Sequence, residues 1–167
     1  AGDGEGGHRD GAAAQAQFHC REGLALLPDG RVMVTDCDNN RIRVLSADLQ
    51  QVSTVAGDGG EGHRDGAAAQ AQIDFPRELA LLPDGRVLMT DFKNCIRVLS
   101  ADMQQVSTLT NVDELNDLRA LKLLPDGRLL VGDGHRIRVL DGFTATLLGP
   151  KPSFKRPKKT NQQLQKE

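Results

Sequence analysis

The chain has 167 residues and a formal net charge of −2 at pH 7, with 18 glycines, five phenylalanines and neither tryptophan nor tyrosine. Its length suffices for one domain with its own hydrophobic core. Residues 1–150 hold 15 basic against 22 acidic residues, a net −7, whereas residues 151–167 hold six against one, a net +5. An acidic body that lacks aromatic stacking platforms makes nucleic acid an unfavourable main partner.

Cysteine usage and hydropathy indicate an intracellular protein. The three cysteines, Cys20, Cys37 and Cys95, show no CxxC spacing, which argues against a disulfide framework and a zinc knuckle. No apolar run reaches the 18 residues or so that a membrane helix needs. We therefore expect a cytoplasmic or nuclear protein without a membrane segment. The start at Ala1 suggests a fragment or a processed product.

The first segment of the chain is a glycine-rich stretch that recurs further on. GDGEGGHRDGAAAQAQ at 2–17 returns almost unchanged as GDGGEGHRDGAAAQAQ at 57–72, and we call these two segments the glycine loops. LALLPDGRV at 24–32 returns at 79–87, and IRVLSAD at 42–48 returns at 96–102. A weaker third copy contains LLPDGRLLVGD at 123–133 and RIRVLD at 136–141. Self-similarity at such spacing predicts a repeat architecture.

Each copy contains four strand signals. In the first copy, Val, Ile, Thr and Leu dominate Leu24–Leu27, Arg31–Asp36, Arg41–Ser46 and Gln50–Ala56. Four antiparallel strands per unit are typical of a β-propeller blade. The sequence therefore predicts an all-β partial propeller of three four-stranded blades, at about 1–56, 57–110 and 111–149. A basic, proline-containing tail follows at 150–167, and its FKRPKK cluster indicates a targeting or electrostatic patch.

The pattern read from Phe18 to Val44, with EGLALLPDGRV at its centre, resembles the NHL repeat. NHL repeats form mostly six-bladed propellers, so the resemblance implies half of such a ring. The chain is then either a segment of a longer propeller or one half of a head-to-tail homodimer that closes six blades. The resemblance also implies a binding platform, as in ubiquitin-ligase components.

The glycine loops carry residue types that occur in metal and phosphate sites, among them Asp3, Glu5, His8, Arg9 and Asp10. The ligand spacing of a calcium loop is absent, and no nucleotide-binding helix follows. Duplication favours a connector between blades, where glycine permits a positive φ. We expect no cofactor and no catalytic or metal-binding residue.

Recurring acid–base pairs favour a structural role as well. Asp36 with Arg41, and Asp133 with Arg136, predict a clasp between the second and third strands of a blade. A further arginine recurs in every IRV segment and is expected to extend along a blade face: Arg43, Arg97 and Arg138.

The copies differ most just before each innermost strand, at one predicted mouth of the channel. A binding surface is free to diverge in this way, whereas scaffold positions stay alike. We call these candidate binding residues the rim residues: His19, Arg21, Glu22, Asp74, Arg77, Glu78, Asn116, Asp117 and Arg119.

Three functions remain open at this stage. The first is a non-catalytic scaffold for protein–protein interaction with an unidentified partner. The second is a metal-dependent propeller enzyme similar to lactonases or the peptidylglycine lyase, with Glu22, Asp74, Asn116 and Asp117 as its ligand set. The third is RNA binding, as in some NHL proteins, which would depend on the basic tail.

Overall fold

The computed structural model describes residues 1–111 and 117–140 and consists of three antiparallel sheets. Two short 3₁₀ turns, Cys37–Asn39 and Ala68–Gln70, interrupt the strands. The all-β partial propeller is thereby confirmed. Within the described ranges, no helix has the length and hydropathy to span a membrane.

Sheet 1 contains the four strands predicted for the first copy and one more. Its strands are β1 (Gly11–Ala12), β2 (Leu24–Leu26), β3 (Val32–Asp36), β4 (Arg41–Leu45) and β5 (Gln51–Ala56). Their order is β1-β5-β4-β3-β2. The turn between β2 and β3 forms because Gly30 adopts φ +86° and donates its N–H to Leu27 O at 3.0 Å.

Sheet 2 repeats this arrangement with the order β6-β10-β9-β8-β7. Its strands are β6 (Gly66–Ala67), β7 (Leu79–Leu81), β8 (Val87–Thr90), β9 (Cys95–Leu99) and β10 (Gln105–Asn111). Sheet 3 contains β11 (Leu118–Leu123), β12 (Leu129–Asp133) and β13 (Arg136–Leu140) in that order. The fourth strand predicted for this copy, the tail and Asn116 lie outside the described residues.

The extra strand in sheets 1 and 2 comes from the glycine loop that precedes each blade. Gly11 pairs with Val52 in sheet 1, and Gly66 pairs with Val106 in sheet 2. The prediction of four strands was therefore one short for these two sheets. Each loop folds onto the outermost strand of its own blade besides connecting to it.

The hydrophobic core lies between the sheets. Side chains alternate across a strand, so Ile42 and Val44 of β4 face sheet 2 while Arg43 faces the opposite side. One buried cluster joins sheets 1 and 2, and a second joins sheets 2 and 3. The glycine loop of sheet 2 contributes Ala68 and Ala71 to the first cluster, so it fills the space between two blades.

Candidate functional site

The rim residues precede the innermost strands β2, β7 and β11. Equivalent positions in the three copies, Cys20, Phe75 and Asp117, all adopt the left-handed backbone conformation, with φ of 57°, 48° and 59°. This conformation is uncommon for residues other than glycine, and its recurrence shows that the fold demands the same bend before each inner strand. The bend places the neighbouring side chains at one end of the sheets.

Arg77 links rim residues of all three sheets. Its Nη1 lies 2.6 Å from Asp117 Oδ1 of sheet 3, and its Nε lies 3.9 Å from Glu22 Oε2 of sheet 1. Asp117 also accepts a hydrogen bond from Arg119 Nε at 2.7 Å. Hydrogen bonds from Arg119 and Arg77 hold the pKa of Asp117 below its ordinary value. We call Glu22, Arg77, Asp117 and Arg119 the rim network.

Two aromatic rings fix the buried Arg77 side chain. Its guanidinium lies 5.5 Å from the ring centroid of Phe75 and 5.4 Å from that of Phe92. The two rings meet edge to face with centroids 6.5 Å apart. Such cation–π and aromatic contacts hold the guanidinium in place, so the rim network has a rigid centre.

Glu78 is half-buried beside the rim network. Burial raises the pKa of its carboxyl, and the nearby negative charge of Glu22 raises it further. The carboxylate makes no hydrogen bond or ion pair with any residue in 1–111 or 117–140. A cation placed beside Glu78 would offset both the cost of burying its charge and the repulsion from Glu22.

The other rim residues stay within their own blades. His19 Nε2 lies 3.5 Å from Asp38, and Asp74 lies 3.5 Å from Lys93 Nζ. The Arg21 guanidinium lies 6.0 Å from the Phe18 ring centroid. The structure thus brings Glu22, Arg77, Glu78, Asp117 and Arg119 together and leaves His19, Arg21 and Asp74 apart.

The inner strands form an apolar wall beneath the rim. A groove of about 480 Å³ lies along β2, β7 and the end of β11. Its lining is Leu24, Ala25, Leu26, Leu79, Ala80, Leu81, Leu82, Pro83, Lys122 and Leu123. Lys122 is the one charged residue of this lining, so the groove itself offers no carboxylate or imidazole to a metal ion.

The predicted clasp exists with a different arginine. Asp36 Oδ2 lies 2.6 Å from Arg43 Nη1, whereas Arg41, its cross-strand neighbour, donates its guanidinium to Asp58 O at 2.8 Å. In sheet 3, Asp133 pairs with Arg138 at 3.4 Å, so the choice of Arg136 was wrong as well. Arg41 and Arg43 lie on the same face of β4, so alternation does not separate them. Arg41 instead donates its guanidinium to the backbone oxygens of Asn39 and Asp58, which leaves Asp36 to Arg43.

Arg43 and Arg97, which were expected to extend along a blade face, are fully buried. Arg43 lies 2.6 Å from Asp10 of the glycine loop and 4.9 Å from the Phe18 ring centroid. Arg97 repeats the contact with Asp65 at 2.8 Å. Burial opposes the ionisation of Asp10, but hydrogen bonds from Arg43 and Thr54 outweigh it and lower the pKa.

The glycine loops therefore act as structural caps in this fold. Asp10 and Asp65 neutralise buried arginines, and each also accepts a hydrogen bond from the outer strand, Asp10 from Thr54 N at 3.0 Å and Asp65 from Thr108 N at 2.9 Å. The sequence contains a signal for this pairing, because each glycine loop carries an acid, Asp10 or Asp65, ahead of the IRV arginine of its blade. The third copy has no such loop, and its arginine, Arg138, is 36% exposed in the structure.

One group of potential metal ligands exists in the described part of the chain. His63, Asp91 and Cys95 offer ligand atoms within 4.8 Å of one another. Arg97 Nη1 lies 3.3 Å from His63 Nδ1 and 3.4 Å from Asp91 Oδ2. A guanidinium so close to two of the three ligands disfavours a cation there, and the cluster fits the buried-arginine arrangement instead.

Comparisons with known proteins agree with this geometry. Residues 22–45 match the NHL repeat family. These residues therefore form an NHL repeat. Over 90 residues the chain is 32% identical to Protein SUPPRESSOR OF QUENCHING 1, chloroplastic, of Arabidopsis thaliana. The aligned region covers 54% of this chain and 8% of that protein.

Two solved structures show the same fold at low sequence identity. A nidogen/laminin complex is 20% identical with a TM-score of 0.56, covering 75% of this chain and 49% of that chain. A gluconolactonase from Xanthomonas campestris is 18% identical with a TM-score of 0.54, covering 70% and 36% respectively. This NHL-repeat chain thus spans about half, or less, of the proteins that it matches.

Proposed function

We propose that this NHL-repeat chain is a non-catalytic scaffold, which forms part of a closed propeller and binds a protein partner at the rim. The observation that carries the proposal is the rim network. Arg77 and Arg119 neutralise Asp117, and Arg77 faces Glu22, so a guanidinium stands between two of the carboxylates that a metal site at the rim would use. A rigid, charged rim above an apolar wall suits recognition of another protein.

The partner that the rim suits carries a basic side chain. Glu78 has no cationic partner among the described residues, and its raised pKa reflects burial beside Glu22. A lysine or arginine placed there would form a charge-assisted hydrogen bond of the stronger kind. The likeness to a nidogen/laminin complex, an assembly of two proteins, is consistent with a role in protein binding.

Exposed apolar side chains on both outer flanks support a larger ring. Ile137 of β13 is 76% exposed, whereas the equivalent Ile42 and Ile96 are fully buried between sheets. On the opposite flank, Leu24 and Leu26 of β2 are each 69% exposed. Each outer flank therefore exposes one of the two apolar surfaces that pack against each other between neighbouring sheets, and we call such a pair of surfaces a joint.

A second copy of this chain supplies both missing halves of that joint. The glycine loop of sheet 2 covers the face that carries Ile42, through Ala68 and Ala71. The first glycine loop has Ala13 and Ala16 packed in the same way on the free side of sheet 1. Head-to-tail association would place this loop against Ile137 of the partner and close six blades about a two-fold axis.

The test of ring closure is the mass of the full chain in solution. We expect light scattering to give twice the mass of one chain, and Ile137→Arg to give a single chain because it places a charge in the joint. Leu49→Arg is the matched control, since Leu49 is an exposed leucine in the turn between β4 and β5. A monomeric wild-type chain contradicts the homodimer.

The test of rim binding compares two isosteric changes. Glu78→Gln removes the charge from the rim, and Glu61→Gln removes one from an exposed position in the glycine loop. We expect the wild type and Glu61→Gln to retain one and the same protein partner in affinity purification, and Glu78→Gln to lose it. Equal retention by all three chains contradicts rim recognition.

Metal dependence is the measurement that addresses the enzyme alternative. The gluconolactonase shows that an enzyme exists on this fold, but low identity carries only the fold to this chain. We expect neither calcium nor zinc to change the thermal midpoint, because Arg77 faces the rim carboxylates. A stabilisation that Glu22→Gln abolishes would favour the enzyme.

A further inference from the structure

Two cysteines occupy a pair of facing positions in the first blade. Cys20 and Cys37 are the equivalents, in repeat register, of Phe75 and Phe92 in the second blade. Phe75 and Phe92 are in edge-to-face contact, so side chains at these positions point toward each other. The same positions in the first blade bring two cysteines together.

The backbone holds the two cysteines at disulfide distance. Cys37 N–H donates to Cys20 O at 2.8 Å, and Gly134 N–H makes the corresponding bond to Asp117 O in sheet 3 at 3.5 Å. With standard bond lengths, an N···O contact of 2.8 Å keeps the two Cα atoms within about 6.7 Å of each other. That separation lies within the range of about 4.4–6.8 Å that a disulfide spans.

We propose that Cys20 and Cys37 form a reversible, redox-active disulfide at the rim of the propeller. Neither thiol is part of a disulfide in this structure. Cys95 lies in β9 of the second blade and has neither thiol beside it in the repeat register. Oxidation would tie the segment that carries His19, Arg21 and Glu22 to the turn after β3.

The environments of the two thiols assign their order of reaction. Burial raises the pKa of Cys37 to about 12, whereas the Cys20 side chain is partly exposed. Cys20 is therefore the thiol that an external reagent reaches, and Cys37 is the thiol that closes the bond.

The oxidant is a disulfide of the glutathione type. The Cys20 thiolate attacks one sulfur of that disulfide, forms a mixed disulfide and releases one thiolate. The Cys37 sulfur, on losing its proton to solvent, then attacks Cys20 and releases the second thiolate. Two protein thiols are oxidised to one disulfide, and one external disulfide is reduced to two thiols.

The experiment equilibrates the full chain in glutathione buffers of increasing oxidised fraction and then alkylates the remaining thiols. Trypsin places Cys20 in peptide 10–21, Cys37 in peptide 32–41 and Cys95 in peptide 94–97. We expect peptides 10–21 and 32–41 to become linked, with a loss of two hydrogens, while Cys95 stays alkylated. Reduction should restore both free peptides.

Variants separate this pair from incidental oxidation. Cys95→Ser should retain the link, whereas Cys20→Ser should abolish it. The closed loop should raise the thermal midpoint of the oxidised wild type by roughly 6–12 °C, and leave that of Cys20→Ser unchanged. Glutathionylation of Cys20 without the link, or a link that involves Cys95, would overturn the proposal.

Discussion

Replacement of Arg43 by methionine is the sharpest test of how the blades are stabilised. Arg43 is fully buried and donates hydrogen bonds to the carboxylates of Asp36 and Asp10 and to the backbone oxygens of Gln17 and Arg9. Methionine keeps a flexible apolar side chain beside Phe18 and carries no charge. The change therefore removes the cation while it retains the apolar part of the side chain.

The magnitude follows from the carboxylate that stays behind. Asp36 is fully buried, and removal of one member of a buried ion pair costs about 3–5 kcal/mol of unfolding free energy. Asp36 keeps hydrogen bonds from His19 N at 2.7 Å and Asn39 Nδ2 at 2.9 Å, which favours the lower part of that range. Arg138→Met is the matched control. Arg138 is 36% exposed, so solvent screens its pairing with Asp133 and its loss should cost less than the loss of Arg43.

The assay is equilibrium urea unfolding of the three chains, followed by circular dichroism. We expect Arg43→Met to lower the unfolding free energy by about 2–4 kcal/mol more than Arg138→Met does, with unchanged m-values. Equal losses in the two variants would refute the conclusion that burial by the glycine loop makes the arginine structurally important.

Three further predictions address other parts of the fold. A Cβ at Gly23 would overlap a backbone oxygen of sheet 2, so Gly23→Ala should lower the thermal midpoint by several degrees, while Gly6→Ala, with its nearest contact at 3.6 Å, should change it little. Ile96→Ala should lower the free energy of unfolding in urea by about 2–5 kcal/mol. Ile137→Ala should lower that of the monomer by under about 0.5 kcal/mol, because Ile137 is 76% exposed. Equal losses would show that the Ile137 flank is covered. The folded pKa of Asp10 lies below its ordinary value of 3.8, so the ionised carboxylate stabilises the fold above pH 3.8, and this stabilisation is lost as the pH falls through the folded pKa. A pH series of urea unfolding should therefore show Asp10→Asn to be destabilising at pH 7 and neutral well below pH 3.8.

The strands and turns were predictable because they depend on local chemistry. Alternating β-branched residues and the PDG turns specify β2 to β4 with boundaries within one residue of those expected. Repetition of the same segments then specified blades. The two-residue strand β1 escaped prediction, since Gly11 and Ala12 have no strand propensity and pair only because Val52 lies beside them.

The rim was located from the sequence, but its chemistry was not. Divergence between the copies identified Glu22, Arg77 and Asp117, which lie up to 95 residues apart along the chain (117 − 22). Only packing of three inner strands side by side joins them through one guanidinium. The facing of Cys20 and Cys37 likewise arises from the fold, because their spacing in the sequence matches no motif.

The sequence by itself determined the repeat, the blade and the turns of this protein, since each depends on residues close together in the chain. The tertiary structure decided which arginine is buried, which carboxylate neutralises it and which apolar faces stay exposed. IRV is written identically around Arg43 and Arg138, yet one arginine is buried and the other is partly exposed. The physical reason is that burial depends on what the neighbouring segment supplies, and a glycine loop with Asp10 covers only the first of these two arginines.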